Sequence, residues 1–474
     1  MTALNELSLD DARKVVNKGD VTSLELVQAC LRQIEKHDDK LNTFIRLESE
    51  IAQTQAEEFD KNRKRQSEIG LLGGVPLAHK DMYYRAGFFT TCGSKIRRDY
   101  KSATTSTAIE RLAKSGALNL GGLNMAEFAF SPTGHNTHFG ACRNPWNADY
   151  VTGGSSSGSG SAVAARMAFG SLGSDTGGSI RLPAGFCGLV GIKPTQTRVS
   201  RYGVMGLSFS LDNVGPLTRT VKDNALILSV IAGHDPKDAT SSTQPVGNYL
   251  EAVDNPSAKG FKIGIARGYF EDGADDTIIE SRDAAVKSFT EQGASIVEID
   301  CGDINHINSL AAFIAGTEAA TLHAYWLRHR RDDYGPQVLA RIESGLQFSG
   351  VDYLHAIQLR PKIITEFVKK AFADCDIILA PTFNIETPRI DETDVEDGQG
   401  FEALMSTVSH CTRPFNYLTL PSLSLPTPEL ANKMPASIQL IAPPFHEKLL
   451  YRVGSAYEKH TSFSERAPLS LIHI

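Results

Sequence analysis

The sequence predicts an α/β protein in which buried strands are covered by helices. Short apolar runs of strand length alternate with longer segments of helical periodicity, as in Phe261 to Ala266, Asp275 to Gln292 and Ala294 to Ile299. The strand candidates are apolar on both sides rather than alternating, which suits strands covered on both faces. The 474 residues are 41% hydrophobic, enough to bury a large core.

Taken in order, the elements support this class. Ser8 with Asp11 and Thr22 with Glu25 carry capping-box spacing. Leu24, Val27, Leu31 and Ile34 then fall on one helix face. Leu41 to Leu47 contains a short strand, and Ile51 to Arg65 is a polar outer helix. Residues 1–70 therefore form an N-terminal helical segment. Gly74 to Ala78 is a short apolar strand that runs into His79, Lys80 and Asp81. Thr104 to Ser115 is a helix, Ala117 to Gly121 a strand and Val221 to Ile231 a helix ended by Gly233. Residues 300–370 read as a helical insertion, expected near the substrate entrance. Ile377 to Ala380 is a late strand, and 381–400 is an acidic surface loop. A single domain over 1–474 is expected.

Composition excludes several classes. The formal net charge of −7 argues against a general nucleic-acid surface. No run of 18 apolar residues and no signal-peptide pattern is visible, so no membrane association is expected. Seven scattered cysteines without a CxxC pair suit a reducing cytoplasm. His135 and His138 have HxxH spacing, but no further ligand completes a metal site. No cofactor is expected. Gly158-Ser159-Gly160 fits neither a P-loop nor a dinucleotide fingerprint.

The chemistry concentrates between Tyr150 and Pro194. Glycines and serines crowd there, yet Ala162 to Phe169 is an apolar, helix-forming run and Phe186 to Val190 is apolar again, so the stretch is no linker. Such glycines let backbone approach backbone or ligand. The turn at Thr176-Gly177-Gly178-Ser179 presents consecutive N–H groups suited to a negative oxygen. Ser179 needs a base to act as a nucleophile, it is not in a GxSxG elbow, and no histidine partner is identifiable. Lys80, directly after an apolar strand, reads either as a lysine snorkelling from a strand end or as a desolvated base. His79 reads as structural.

Together, Gly74 to Asp81, Gly153-Gly154-Ser155-Ser156, Gly173 to Arg181, Cys187-Gly188 and Lys193-Pro194-Thr195 resemble the amidase signature family of serine hydrolases. The resemblance implies that family's fold, a large mixed, twisted sheet covered on both faces by helices. It implies Ser179 as nucleophile, Ser155 as bridging serine after a cis peptide, and Lys80 as base. Thr176, Gly177, Gly178 and Ser179 become the oxyanion donors, with Asp175, Arg181 and Ser156 in support. Ser156 or Ser157 is expected to brace Lys80. Tyr83, Met125, Phe128 and Phe130 are expected in the substrate pocket, giving a preference for an apolar or aryl group.

Within the family the body is most similar to the A subunits of glutamyl-tRNA amidotransferases, on Thr90 to Lys95, Arg143 to Trp146 and Arg198 to Gly203. The pattern diverges after residue 240, and His79 replaces a small apolar residue. The expectation is therefore a free-standing amidase that hydrolyses a carboxylic amide through an acyl-enzyme. It would have a small-molecule amide as its partner, no nucleic acid, and at most a homodimer. The alternatives are the amidotransferase A subunit, an ester or carbamate hydrolase, and a non-enzymatic interaction protein on the same scaffold.

Overall fold

The computed structural model describes residues 3–63, 69–394, 401–428, 430 and 432–468. Its strands form two sheets. The smaller contains β1 (Phe44–Leu47), β2 (Pro76–Lys80) and β3 (Leu118–Leu123), in the order β1-β3-β2. The larger contains β4 (Ser171–Asp175), β5 (Val190–Lys193), β6 (Asn213–Thr218), β7 (Lys262–Ala266), β8 (Ser295–Ile299), β9 (Ile377–Pro381), β10 (Ser422–Pro426) and β11 (Ser437–Ile441). Its eight strands run β4-β6-β5-β10-β11-β9-β7-β8. Pairs β7–β8 and β7–β9 are parallel and the others antiparallel, so the sheet is mixed. It is twisted and carries helices on both faces, the α/β architecture read from the sequence. β2, β4 to β6, and β9 to β11 consist wholly of buried residues, as strands covered on both faces are.

Two glycines bring the site region onto the large sheet. A Cβ at Gly191 on β5 would stand 2.6 Å from Ala184 Cβ, and one at Gly215 on β6 would stand 2.2 Å from Ile192 O. The short helix Arg181–Phe186, which follows Ser179, is thereby seated close against the strands.

The helix expected from Ala162 begins earlier, at Ser157, and ends at Ala164. Its glycines explain the shift. A Cβ at Gly158 would lie 2.5 Å from Thr43 O and 2.6 Å from Asn124 N, so the helix start is pressed onto neighbouring backbone. The apolar residues from Ala165 to Phe169 are buried in the connection to β4 instead.

The N-terminal helices are Leu9–Lys18, Ser23–Leu41 and Ser49–Arg63, and Thr22 and Glu25 form the complete capping box. Residues 64–65, at the end of the third helix as read from sequence, lie outside the described residues. So do 395–400 of the acidic loop; its earlier part holds a short helix, Ile390–Thr393. Between β8 and β9 run the helices Ile304–His329, Pro336–Ser344 and Gly350–Ala371. No cysteine is in a disulfide. Among the described residues, no helix is long and apolar enough to cross a membrane.

Candidate active site

Lys80 ends β2, an edge strand of the small sheet, and is 1% exposed. Its Nζ donates to Ser155 Oγ at 2.6 Å and to Ser174 Oγ at 2.8 Å. Burial lowers its pKa to about 7, against the upward pull of Asp212, Asp175 and Cys92. The brace expected from Ser156 or Ser157 comes instead from Ser174, on β4. Ser157 Oγ donates to Asn124 O. Ser156 Oγ donates to Ser179 O and to Ser174 O, tying the Ser179 backbone to β4. The Gly154–Ser155 peptide is cis.

His79 is turned away from this group. Its Nδ1 accepts from Leu172 N at 3.2 Å, and burial depresses its pKa to about 3, so it is a neutral packing residue.

The turn after β4 is held by a buried polar network. Asp175 accepts from Gly178 N at 2.8 Å, Ile180 N at 3.2 Å, and Arg181 Nε and Nη2 at 3.1 and 3.0 Å. Burial works against the Asp175 charge, yet Arg181, with Lys193 and the Asn416 amide, holds its pKa down to about 2. Arg181 also donates to Gln439 Oε1 and Asn416 Oδ1, on segments more than two hundred residues away in sequence. Gly178 is a correction to the expected oxyanion set: its N–H is committed to Asp175. The N–H groups of Thr176, Gly177 and Ser179 have no such tie and remain candidates.

Two cavities adjoin this region. The smaller, about 60 Å³, contains Ser179 together with Thr176, Gly177, Phe130, Leu182, Leu207, Ala312, Ala315, Arg341 and Arg413. The larger, about 270 Å³, reaches Ser174 and Asp212 but not Ser179. Of the two, the smaller one is lined by Ser179.

Of the pocket residues read from sequence, only Phe130 lines that cavity. Tyr83 is buried, with its hydroxyl donating to Gly173 O at 2.6 Å. Met125 is fully buried, and Phe128 stacks on Trp326 at 5.3 Å and meets His323 edge-on at 4.4 Å. These three are core residues: their apolar surface is already covered by protein. Arg341, on the helix Pro336–Ser344, and Arg413, in the turn before the short helix Pro414–Tyr417, line the cavity as well and were missed. Nothing local in the sequence distinguishes them from surface arginines.

His135 Nε2 pairs with Thr393 Oγ1 at 2.7 Å and His138 Nε2 with Glu127 Oε1 at 3.0 Å, so the HxxH pair serves two separate contacts.

The family model described as Amidase matches residues 25–451. The chain belongs to the amidase family. It is an amidase-signature hydrolase, and its fold is the one that family shares. The A subunit of glutamyl-tRNA(Gln) amidotransferase from Pseudomonas aeruginosa (strain LESB58) is 36% identical, over 98% of this chain and 99% of its own length. Among solved structures, one described as "An unexpected vestigial protein complex reveals the evolutionary origins of an s-triazine catabolic enzyme" is 31% identical. It has a TM-score of 0.89 and covers 96% of this chain and 98% of its own. The A subunit of the Thermotoga maritima glutamyl-tRNA(Gln) amidotransferase is 29% identical, with a TM-score of 0.82, over 99% of this chain and 98% of its own.

These findings overturn the expected partners, a small molecule alone with no nucleic acid and at most a homodimer. That expectation rested on divergence after residue 240, but the alignment continues through that region to nearly the whole chain. The net charge does not rescue it. The charge of one chain says nothing about a nucleic acid gripped by another.

Proposed function

We propose that the chain is the ammonia-releasing amidase component of a multi-subunit enzyme, acting on a small carboxylate-bearing amide of the glutamine type. The observation that carries this reading is the full-length similarity to proteins named as the A subunit of a glutamyl-tRNA(Gln) amidotransferase. Arg341 and Arg413 line the small cavity that holds Ser179 and are themselves tied to the protein, Arg341 Nη1 donating to Phe130 O at 2.8 Å and Arg413 Nη2 to Ser409 Oγ. Their positive charge at the cavity wall favours an anionic amide over a neutral aryl one. The volume of about 60 Å³ suits a short acyl chain. The same full-length similarity supports the role within an assembly. In this reading a companion subunit supplies the tRNA surface.

The mechanism runs through Ser179, Ser155 and Lys80. Neutral Lys80 accepts the Ser155 proton across the 2.6 Å contact, and Ser155 accepts the Ser179 proton. Ser179 Oγ attacks the amide carbon. The N–H groups of Thr176, Gly177 and Ser179 stabilise the oxyanion, each such donor contributing about 3 kcal/mol. Ser155 returns a proton to the leaving nitrogen, the C–N bond breaks and ammonia departs. Water then attacks the acyl-enzyme, its proton following the same relay back, and the carboxylate product leaves with Ser179 restored.

The test is ammonia release from L-glutamine, pentanamide and benzamide, with the chain alone and with its companion subunits. Glutamine is expected to have the highest kcat/KM in both states. Preference for benzamide or pentanamide, with glutamine rejected in both, overturns the proposal and restores a free-standing apolar amidase.

A further inference from the structure

Asp212 lies outside the Lys80, Ser155 and Ser179 group, yet it is the point where two parts of the site meet. Thr176 Oγ1 donates to Asp212 Oδ1 at 2.5 Å. Leu207 N and Ser208 N donate to Asp212 Oδ2 at 2.8 and 3.0 Å. One carboxylate thus joins the first residue of the nucleophile turn to the 207–212 turn, using both oxygens. Ser208 carries the connection outward, its Oγ donating to buried Glu318 on the helix Ile304–His329. Glu318 also accepts from Ser210 N at 3.0 Å and from the Tyr353 hydroxyl at 2.7 Å. Leu207 is itself a wall of the Ser179 cavity.

We propose that Asp212 is a positioning residue for this reaction, holding Thr176, and with it the oxyanion-binding turn, in register with the Leu207 wall of the cavity. The inference rests on Ser179 being the nucleophile and not on the identity of the amide.

The charges around Asp212 make the role separable from simple packing. Burial pushes its pKa up, while its three donors favour the ionised form and Arg201 faces it as well. Lys237 and Asp238 lie on the walls of the larger cavity that Asp212 also lines. Lys80 is faced by Asp212, Asp175 and Cys92, and Asp212 is the strongest of the three in raising its proton affinity. Removing the Asp212 charge therefore has two effects of different kind. The turn loosens at every pH, and the Lys80 titration moves to lower pH. A purely structural residue would produce the first without the second.

The experiment reads Ser179 directly, with a small fluorophosphonate whose attachment is followed by intact mass across pH 5.5 to 9. No amide substrate is needed. Asp212→Asn is expected to slow modification on the order of ten- to a hundredfold on the alkaline plateau and to displace the midpoint of the profile acidward. Thr176→Val, which deletes the hydroxyl and keeps the carboxylate, is expected to slow modification similarly with the midpoint unmoved. The double variant is expected to be no slower than Asp212→Asn alone, because both changes break one contact. Wild-type rates in Thr176→Val overturn the inference, even if Asp212→Asn does not fold. Losses that multiply in the double variant also overturn it, as does an unmoved midpoint in Asp212→Asn. Failure of the unmodified chain to react at Ser179 would instead refute the nucleophile assignment beneath it.

Discussion

Replacing Lys80 with arginine tests the base through a quantity set by burial. An ordinary lysine titrates at 10.5 and the buried Lys80 at about 7, a difference of 10.5 − 7, or about 3.5 units. At 1.36 kcal/mol per unit, the net of burial against Asp212, Asp175 and Cys92 disfavours the charged amine by roughly 5 kcal/mol relative to water. The side chain is 1% exposed, so solvent screening takes little from that figure. At pH 7 about half of Lys80 is then neutral, against roughly one in three thousand for an unperturbed lysine. The sign follows directly. The working form is the deprotonated one, so kcat/KM rises with pH through about 7 and levels off above it. Below about pH 6 it falls roughly tenfold per unit. Lys80→Arg keeps the positive charge but cannot yield the free base at any of these pH values. It is expected to lose at least a thousandfold in Ser179 acylation and to lose the rise near pH 7. The assay is Ser179 phosphonylation against pH, with circular dichroism to establish folding. A folded Lys80→Arg protein that reacts within tenfold of the unmodified chain, with the same profile, refutes the reasoning.

Other changes probe the same site at separate points. Arg341→Gln should raise KM for glutamine about tenfold or more while leaving pentanamide turnover unchanged, measured by ammonia release; it follows from the guanidinium in the Ser179 cavity. Asp175→Asn strips the charged partner from fully buried Arg181 and should cost on the order of 3–5 kcal/mol in a urea unfolding experiment. A loss below about 1 kcal/mol would contradict the network described. Gly158→Ala places a Cβ 2.5 Å from Thr43 O and should lower stability by roughly 1–3 kcal/mol, seen as a lower Tm. Ser174→Ala removes one of two hydrogen-bond partners of Lys80 and should slow Ser179 modification about tenfold with little change in overall stability.

What the sequence disclosed followed from how local each feature is. The helix Val221–Ile231 and the strand at Ile377 are set by short apolar patterns and appear where those patterns place them. The Lys80–Ser155 contact spans 75 residues of chain and was legible only because the surrounding motifs are distinctive. Ser174 was not legible as a Lys80 partner: a serine inside a buried strand has the same local signature whether it braces a lysine or a backbone carbonyl. The aromatic residues after Lys80 misled for a related reason. Aromatic composition reports burial but not whether protein or ligand supplies the covering surface, and Tyr83 and Phe128 are covered by protein. Arg341 and Arg413 reach the Ser179 cavity from a helix and a turn about seventy residues apart in the late chain, so their convergence is a property of tertiary structure alone.

The central claim is that amide cleavage passes through an ester on Ser179. Its most direct measurement is rapid acid quench of the enzyme during glutamine turnover, with companion subunits present, followed by peptide mapping of the acylated residue. The expected result is a glutamyl group on the peptide containing Ser179, absent in Ser179→Ala and accumulating with the release of one equivalent of ammonia. Turnover of glutamine with no adduct on Ser179 under single-turnover conditions, or with the acyl group on another residue, would contradict it.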